Sequence, residues 1–244
     1  GLVEGPYFFE RNGIYYMTYP HVENNTERLE YAISDNPMGP FKVTGVIMDE
    51  SPTGCWTNHH SIIEYNGQWY LFYHHNDYSP KFDKNRSARI DSLFFNPDGT
   101  IRKVIPTLRG VGLTSALQKI EADRYSDISK NGASIAFIDT LNTFKGWKTC
   151  LGNQNAWIRY NAVDFGKKKL KTVMVRALSE TGGTLQIRLD RADGTLVSEV
   201  KIPGGTNWTT TSSKVSKYQK GVHDFIIMLK DNKPVEVDWI QFKN

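Results

Sequence analysis

Several side chains early in the sequence are of the kinds that do acid–base work. Glu4 precedes Gly5 and Pro6, which cannot extend a regular ladder, so its carboxylate is expected at the mouth of a sheet rather than inside one. A solvated loop glutamate is the plain alternative. Asn58-His59-His60-Ser61 and His74-His75 supply four imidazoles, and Arg86 a permanent cation. His59 and His60 are neighbours and point to opposite sides of an extended backbone, which disfavours a shared metal ion. A polar cleft in which one His orients a substrate or a water suits them better. Further on, Ile120-Glu121-Ala122-Asp123 alternates and places two carboxylates on one face. The sequence contains no HExxH, no GxSxG, no phosphate loop and no zinc-spaced Cys/His set, so the chemistries those motifs serve find no support.

These side chains need elements to hold them. Tyr7 to Tyr19 reads as a hairpin, because aromatic runs flank Asn12-Gly13, the pair that best tolerates the two positive φ angles of a type I′ turn. The pattern recurs 54 positions later around Asn66-Gly67, in Ile63-Glu64-Tyr65-Asn66-Gly67-Gln68-Trp69-Tyr70-Leu71-Phe72-Tyr73. Behind each copy stands another candidate hairpin, Arg28 to Ile33 ending in Asn36-Pro37, and Ser87 to Asp91 ending in Asn96-Pro97-Asp98-Gly99. Two copies of a four-strand unit are expected to be blades of a β-propeller, with a chance pair of hairpins as the alternative. Two blades cannot close a ring. Their edges, and aromatics such as Phe8-Phe9 and Trp69-Tyr70, are expected to need partners.

The 244 residues, 39% hydrophobic and 23% charged with formal charge +4, suffice for one or two cores. Aromatics at 12% suit sugar-stacking surfaces and plain β cores equally. The basic excess is thin, and its longest run, Lys167-Lys168-Lys169, reads as a solvated turn; nucleic acid is not an expected partner. No apolar run approaches membrane-spanning length, so no membrane partner is expected either. Pairing between Cys55 and Cys150 cannot be inferred. The chain opens inside a motif, with no signal peptide, and is expected to be part of a longer polypeptide.

The texture changes after residue 105. Residues 106–117 read as a Pro/Gly-punctuated linker, and residues 118–244 as a second set of strands. Candidates are Thr172 to Ala177, Leu185 to Asp190, Leu196 to Ile202, Val222 to Leu229 and Val235 to Phe242, separated by Gly-Gly, Asp-Gly, Pro-Gly-Gly and Lys-Gly turns. Such spacing predicts a β-sandwich, and neither half contains an amphipathic helix. The chain is expected to be all-β.

Within residues 1–105, Glu4-Gly5-Pro6-Tyr7-Phe8, Asn12-Gly13-x-Tyr15-Tyr16, Asn36-Pro37-x-Gly39-Pro40-Phe41, Thr57-Asn58-His59, Gly67-x-Trp69-Tyr70-x-x-Tyr73-His74 and Asn96-x-Asp98-Gly99-Thr100-Ile101 occur in order. Together they resemble glycoside hydrolase family 43, in particular its arabinoxylan arabinofuranohydrolases and β-xylosidases. From about residue 118, five elements are similar to a family 6 carbohydrate-binding module: Ile120 to Asp123, Trp157-Ile158-x-Tyr160 with Val163 to Gly166, Ile187 to Asp190, Gly221-x-His223-Asp224 and Asp238-Trp239-Ile240-x-Phe242.

The first resemblance implies a five-bladed propeller, of which about two blades are present, hydrolysing glycosidic bonds with inversion. Inversion needs a protonated carboxyl and an ionised one across the scissile bond, spaced to admit a water. Glu4 matches the family's general acid, which burial is expected to keep protonated. His59 matches its central-channel histidine, and Arg86 lies near a substrate-reaching position. The base and the carboxylate that tunes the acid belong to earlier blades, and Asp35, Asp49, Asp77 and Asp83 match neither; Glu10 lies in the hairpin arm. A further propeller segment of the same precursor is therefore the expected partner, together with plant cell-wall polysaccharide or oligosaccharide. The implied setting is secreted, periplasmic or cell-surface, with no organic cofactor. The alternative function is a non-catalytic carbohydrate-binding fragment.

The second resemblance implies a sugar cleft at Leu151, Trp208 and Glu236. Leu151 has no π-face, leaving Trp208 as the stacking platform, with Trp147 and Phe144 as substitutes. Trp157, and less so Trp208, could instead be core. Glu121, Asp123 and Asp238 match the module's structural Ca²⁺ site, whose oxygen donors suit that ion.

Overall fold

The computed structural model describes residues 4–51, 54–76, 86–216 and 218–244. It divides into two compact units, residues 1–111 and 112–244. Both are built from strands, and among the described residues the one helical element is a single 3₁₀ turn at Thr143–Lys145. Among the described residues, no helix is long and apolar enough to cross a membrane.

In the first unit, β1 (Tyr7–Arg11), β2 (Ile14–Val22), β3 (Glu27–Ser34) and β4 (Lys42–Met48) form an antiparallel meander in chain order. The strands β5 (Ser61–Tyr65), β6 (Gln68–His75) and β7 (Ser87–Leu93) form a second. Both Asn-Gly pairs are the turns their residues demand: φ is +52° and +78° at Asn12 and Gly13, and +50° and +77° at Asn66 and Gly67. The second sheet has three strands among the described residues, where the repeat predicts four. After β7 the chain makes only the isolated bridge Phe95–Ile101, closed by the turn at Asn96 to Gly99.

One apolar cluster joins the two sheets, with Tyr16, Leu29, Tyr31, Ile47, Ile62, Leu71 and Leu93 fully or almost fully buried. Their hydroxyls are satisfied: Tyr16 donates to the Gly99 carbonyl at 2.7 Å, and Tyr31 accepts from the Ile101 amide at 3.0 Å. Phe9 stacks on Tyr16 at 4.6 Å and packs on Trp69 at 5.1 Å. Phe9 and Trp69 thus have partners inside the unit, against the expectation that both lack them. Alternation along β1 sends Phe8 outward, 54% exposed and edge-on to Phe41.

The second unit holds β8 (Thr114–Ser115), β9 (Ile120–Glu121), β10 (Asp127–Ile128), β11 (Ala133–Phe137), β12 (Trp147–Leu151) and β13 (Trp157–Asp164). It continues with β14 (Thr172–Leu178), β15 (Gly183–Leu189), β16 (Leu196–Ile202), β17 (Thr209–Lys214), β18 (Val222–Leu229) and β19 (Val235–Lys243). One sheet runs β10-β13-β18-β15-β16 with β8 beside β13; the other runs β11-β12-β19-β14-β17 with β9 beside β19. Their inner faces meet in one core that includes Ile158, Tyr160, Val175, Ile187, Phe225 and Ile240. It is a β-sandwich. The first carboxylate-bearing strand is shorter than its alternation predicts, since pairing stops at Glu121 and Ala122 turns away with its N–H on the Asp238 carbonyl.

Candidate functional site

At the mouth of the first sheet, Gly5 adopts φ +59°, and a Cβ there would stand 3.2 Å from Pro20 and 3.3 Å from the His59 ring. Glycine is therefore what lets the segment bearing Glu4 lie against His59. His59 Nε2 sits 3.4 Å from Glu4 Oε2. Glu4 and His59 are brought together, but the Glu4 side chain is half exposed, where a buried carboxyl is expected. Its burial in this unit is only partial.

A third group completes the cluster. Glu27 opens β3 and is 6% exposed, and one oxygen or nitrogen from each of Glu4, Glu27 and His59 lies within 4.8 Å of the others. Glu27 Oε2 accepts the Asn58 N–H at 2.6 Å. Burial pushes the Glu27 carboxyl up, and the charge of Glu4 adds to it, against the downward pull of the Asn58 amide. The sequence contains no motif for Glu27. It stands ahead of an alternating strand like any solvated charge, and only the fold turns it inward.

The adjacent histidines do point apart. His60 faces Thr18, whose hydroxyl donates to the Tyr7 carbonyl at 3.1 Å, so the 2.6 Å contact has His60 Nε2–H donating to Thr18 Oγ1. Nδ1 of His60 is then a bare, buried lone pair, and burial depresses its pKa to about 4, with the charge of His59 adding to the effect. His74 bonds Thr57 at 3.0 Å, and its ring lies 6.4 Å from that of His59. Burial lowers the His74 pKa, and the positive charge of Arg86 lowers it further. Arg86 itself is exposed. Asp77 and Asp83 lie outside the described residues; Glu10 bonds its own turn through Gly13 at 2.6 Å.

In the sandwich, Trp208 lines a groove of about 570 Å³ with Phe137, Asp139, Lys145, Lys148 and Arg176. The Arg176 guanidinium lies 5.0 Å over the Trp208 ring. Trp147 does not line this groove; it stacks on Phe137 at 3.9 Å along the β11–β12 pair. Phe144, at the tip of that hairpin, is fully exposed and outside the groove. Leu151 is fully buried in the core, so its position offers no surface. Trp157 is half-buried and lines another groove, of about 540 Å³, with Asp127, Asn131, Asn153 and Asn155.

Of the three carboxylates matched to a calcium site, Asp123 and Asp238 are buried and Glu121 is exposed. Partial desolvation raises the Glu121 pKa, followed by the charges of Asp238 and Asp123. Three crowded acids of this kind suit a hard cation. Arg176 competes, because it pairs with Asp238, and Arg124 lies 3.6 Å from Asp123. Their oxygens do not close as tightly as the Glu4–Glu27–His59 group.

Residues 1–101 match the family described as Glycosyl hydrolases family 43, and residues 122–244 the Carbohydrate binding module (family 6). An arabinoxylan arabinofuranohydrolase of Paenibacillus polymyxa is 26% identical across 93% of this chain and 39% of its own length. A beta-xylosidase of Xylanibacter ruminicola is 42% identical across 41% of this chain and 30% of its own. The crystal structure of a family 43 arabinoxylan arabinofuranohydrolase from Bacillus subtilis, in complex with cellotetraose, covers 100% of this chain and 54% of its own, with TM-score 0.61 and 24% identity. That likeness speaks to the fold. The chain thus spans about a third to about half the length of these relatives. Its second unit belongs to the family 6 carbohydrate binding modules, and its first matches a stretch of glycosyl hydrolase family 43.

Proposed function

We propose that the chain serves in hydrolysis, with inversion, of glycosidic bonds in arabinoxylan- or xylan-type plant polysaccharide, releasing arabinofuranosyl or xylosyl residues, with Glu4 as general acid. The observation that carries this is the Glu4–His59–Glu27 cluster at a sheet mouth, behind a glycine that admits it. A general acid must reach the leaving oxygen, and the half-exposed Glu4 carboxyl can. His59 orients Glu4, and Arg86 and His74 extend the polar wall for substrate. Glu27 cannot be the base of an inverting pair: it is buried and its carboxyl stands within 4.8 Å, whereas the pair must be roughly 6.5–9.5 Å apart to hold a water. The base is assigned to a further propeller segment of the same precursor.

The sandwich holds polysaccharide through Trp208, with Trp147 behind its groove as support for Phe137. Glu121, Asp123 and Asp238 hold a structural calcium ion that stabilises the fold and takes no part in catalysis. Wall polysaccharide is too large to enter a cell, which supports a setting outside the cytoplasm, secreted, periplasmic or surface-bound. The test uses the precursor with its base. Proton NMR of the first-formed sugar should show the inverted anomer, and Glu4→Gln should lower turnover of xylo-oligosaccharide by about 10²-fold or more. A retained anomer, or an unimpaired Glu4→Gln variant, would overturn the reading. Sugar binding by the chain without any turnover by the precursor would favour a purely carbohydrate-binding role.

A further inference from the structure

Glu27 is a buried carboxyl with no part in the steps above except its exclusion as base. One chain segment fixes it at two points: its own N–H donates to the Trp56 carbonyl at 3.1 Å, and its Oε2 accepts from Asn58 N–H at 2.6 Å. The loop that holds Glu27 is therefore the loop that carries His59. The groups facing the carboxyl are Glu4 and His59, with His74 behind His59 at 6.4 Å between rings and Arg86 acting on His74. One oxygen of each carboxyl lies within 4.8 Å of the other's, so two ionised carboxylates here repel, and a proton held between them removes that repulsion.

We propose that Glu27 is a positioning residue of the acid site, sharing one proton with Glu4 and fixing the direction in which Glu4 presents it to the leaving oxygen. This rests on the reading of Glu4 as general acid. Burial favours the protonated form of Glu27, which lets it carry the shared proton. The Asn58 N–H anchors Oε2 of Glu27, which fixes the plane of the carboxyl beside Glu4 and so the direction of the shared proton.

The experiment is carboxyl-carbon NMR of this chain labelled at glutamate, titrated through the acid range. The Glu4 and Glu27 resonances should each move in two steps with common midpoints, as coupled sites do. Glu27→Gln retains an oxygen for Asn58 N–H but no carboxyl, and should leave Glu4 with one step; Glu27→Asp should restore the second. Where Glu27→Gln disturbs the fold, seen in the Gly13 and Gly67 turn amides, Glu4→Gln is the reciprocal probe and should lower the Glu27 midpoint. A one-step Glu4 curve in the native chain, or a Glu27 curve that Glu4→Gln leaves unmoved, overturns the proposal. Coupled curves together with an unimpaired Glu4→Gln precursor would refute the acid role alone. Uncoupled curves with an impaired precursor would refute the pair alone.

Discussion

The two units differ in what they take out of water. The interior of the first contains ionisable groups: Glu27, Glu30, His74, His75, Arg89 and Asp91 are all buried there. Asp91 is held by the Tyr73 hydroxyl at 2.6 Å and by Thr107 at 2.7 Å, and burial still raises its pKa. In the second, the buried ionisable groups among the described residues are Asp123 and Asp238, and the rest of the core is almost wholly apolar. The charges around its groove are paired outside, Lys148 with Glu236 at 2.7 Å and Lys145 with Asp139 at 2.8 Å. The contrast fits the division of work proposed for the two units. Moving a proton needs groups whose burial sets when they ionise, whereas holding a neutral sugar needs a rigid frame and a flat ring in a charge-balanced surface.

The contrast predicts opposite responses to acid and to metal. The largest effect is expected at His60. Its folded pKa, about 4, lies below the ordinary 6.5, so the unfolded chain takes the proton first as pH falls. The contribution of neutral His60 to the first unit's stability is thus complete above pH 6.5 and declines through pH 4, by up to about 3 kcal/mol. His60→Gln should flatten that window in denaturant melts at stepped pH. An unchanged slope would show that His60 does not carry the acid sensitivity.

The opposite sign belongs to Glu27, whose raised folded pKa contributes stability that is lost as pH rises through it. In the second unit the corresponding probe is calcium. At a hundredfold excess over its Kd the ion should stabilise the unit by about 2.7 kcal/mol, and chelator should lower its melting temperature accordingly. Asp238→Asn should abolish the response, while a melt indifferent to chelator would leave Arg176 as the permanent partner of Asp238. The smallest effect is on binding. Trp208→Ala should weaken xylo-oligosaccharide by about tenfold, or about 1.4 kcal/mol, with little change in stability, as calorimetry would read. Equal affinity would move the sugar to another face, with the groove at Trp157 next in line.

What the sequence makes legible is whatever local chemistry dictates. Asn12-Gly13 and Asn66-Gly67 demand their turns, and the alternation of Leu196 to Ile202 or Val235 to Phe242 demands sandwich strands. Glu4 and His59 are legible for the same reason, each within a short constrained motif. Glu27 is not, because its burial depends on the Asn58 loop crossing β3, a long-range event with no local mark. Trp147 misleads in the opposite way. Its residue type advertises stacking, but its register opposite Phe137 turns the ring onto a neighbour. The strand β17, all Thr, Ser and Lys, carries no hydrophobic alternation and is revealed only by its pairing with β14.

The central claim is that Glu4 delivers a proton to the leaving group, and one comparison tests it most directly. In the precursor with its base, kcat/KM of Glu4→Gln is measured on a xyloside or arabinofuranoside with an unactivated sugar leaving group and on its nitrophenyl counterpart. A nitrophenolate leaves without a proton, so the account predicts a loss of about 10²-fold or more on the sugar and a far smaller one on the aryl glycoside. Equal losses on the two substrates would contradict it.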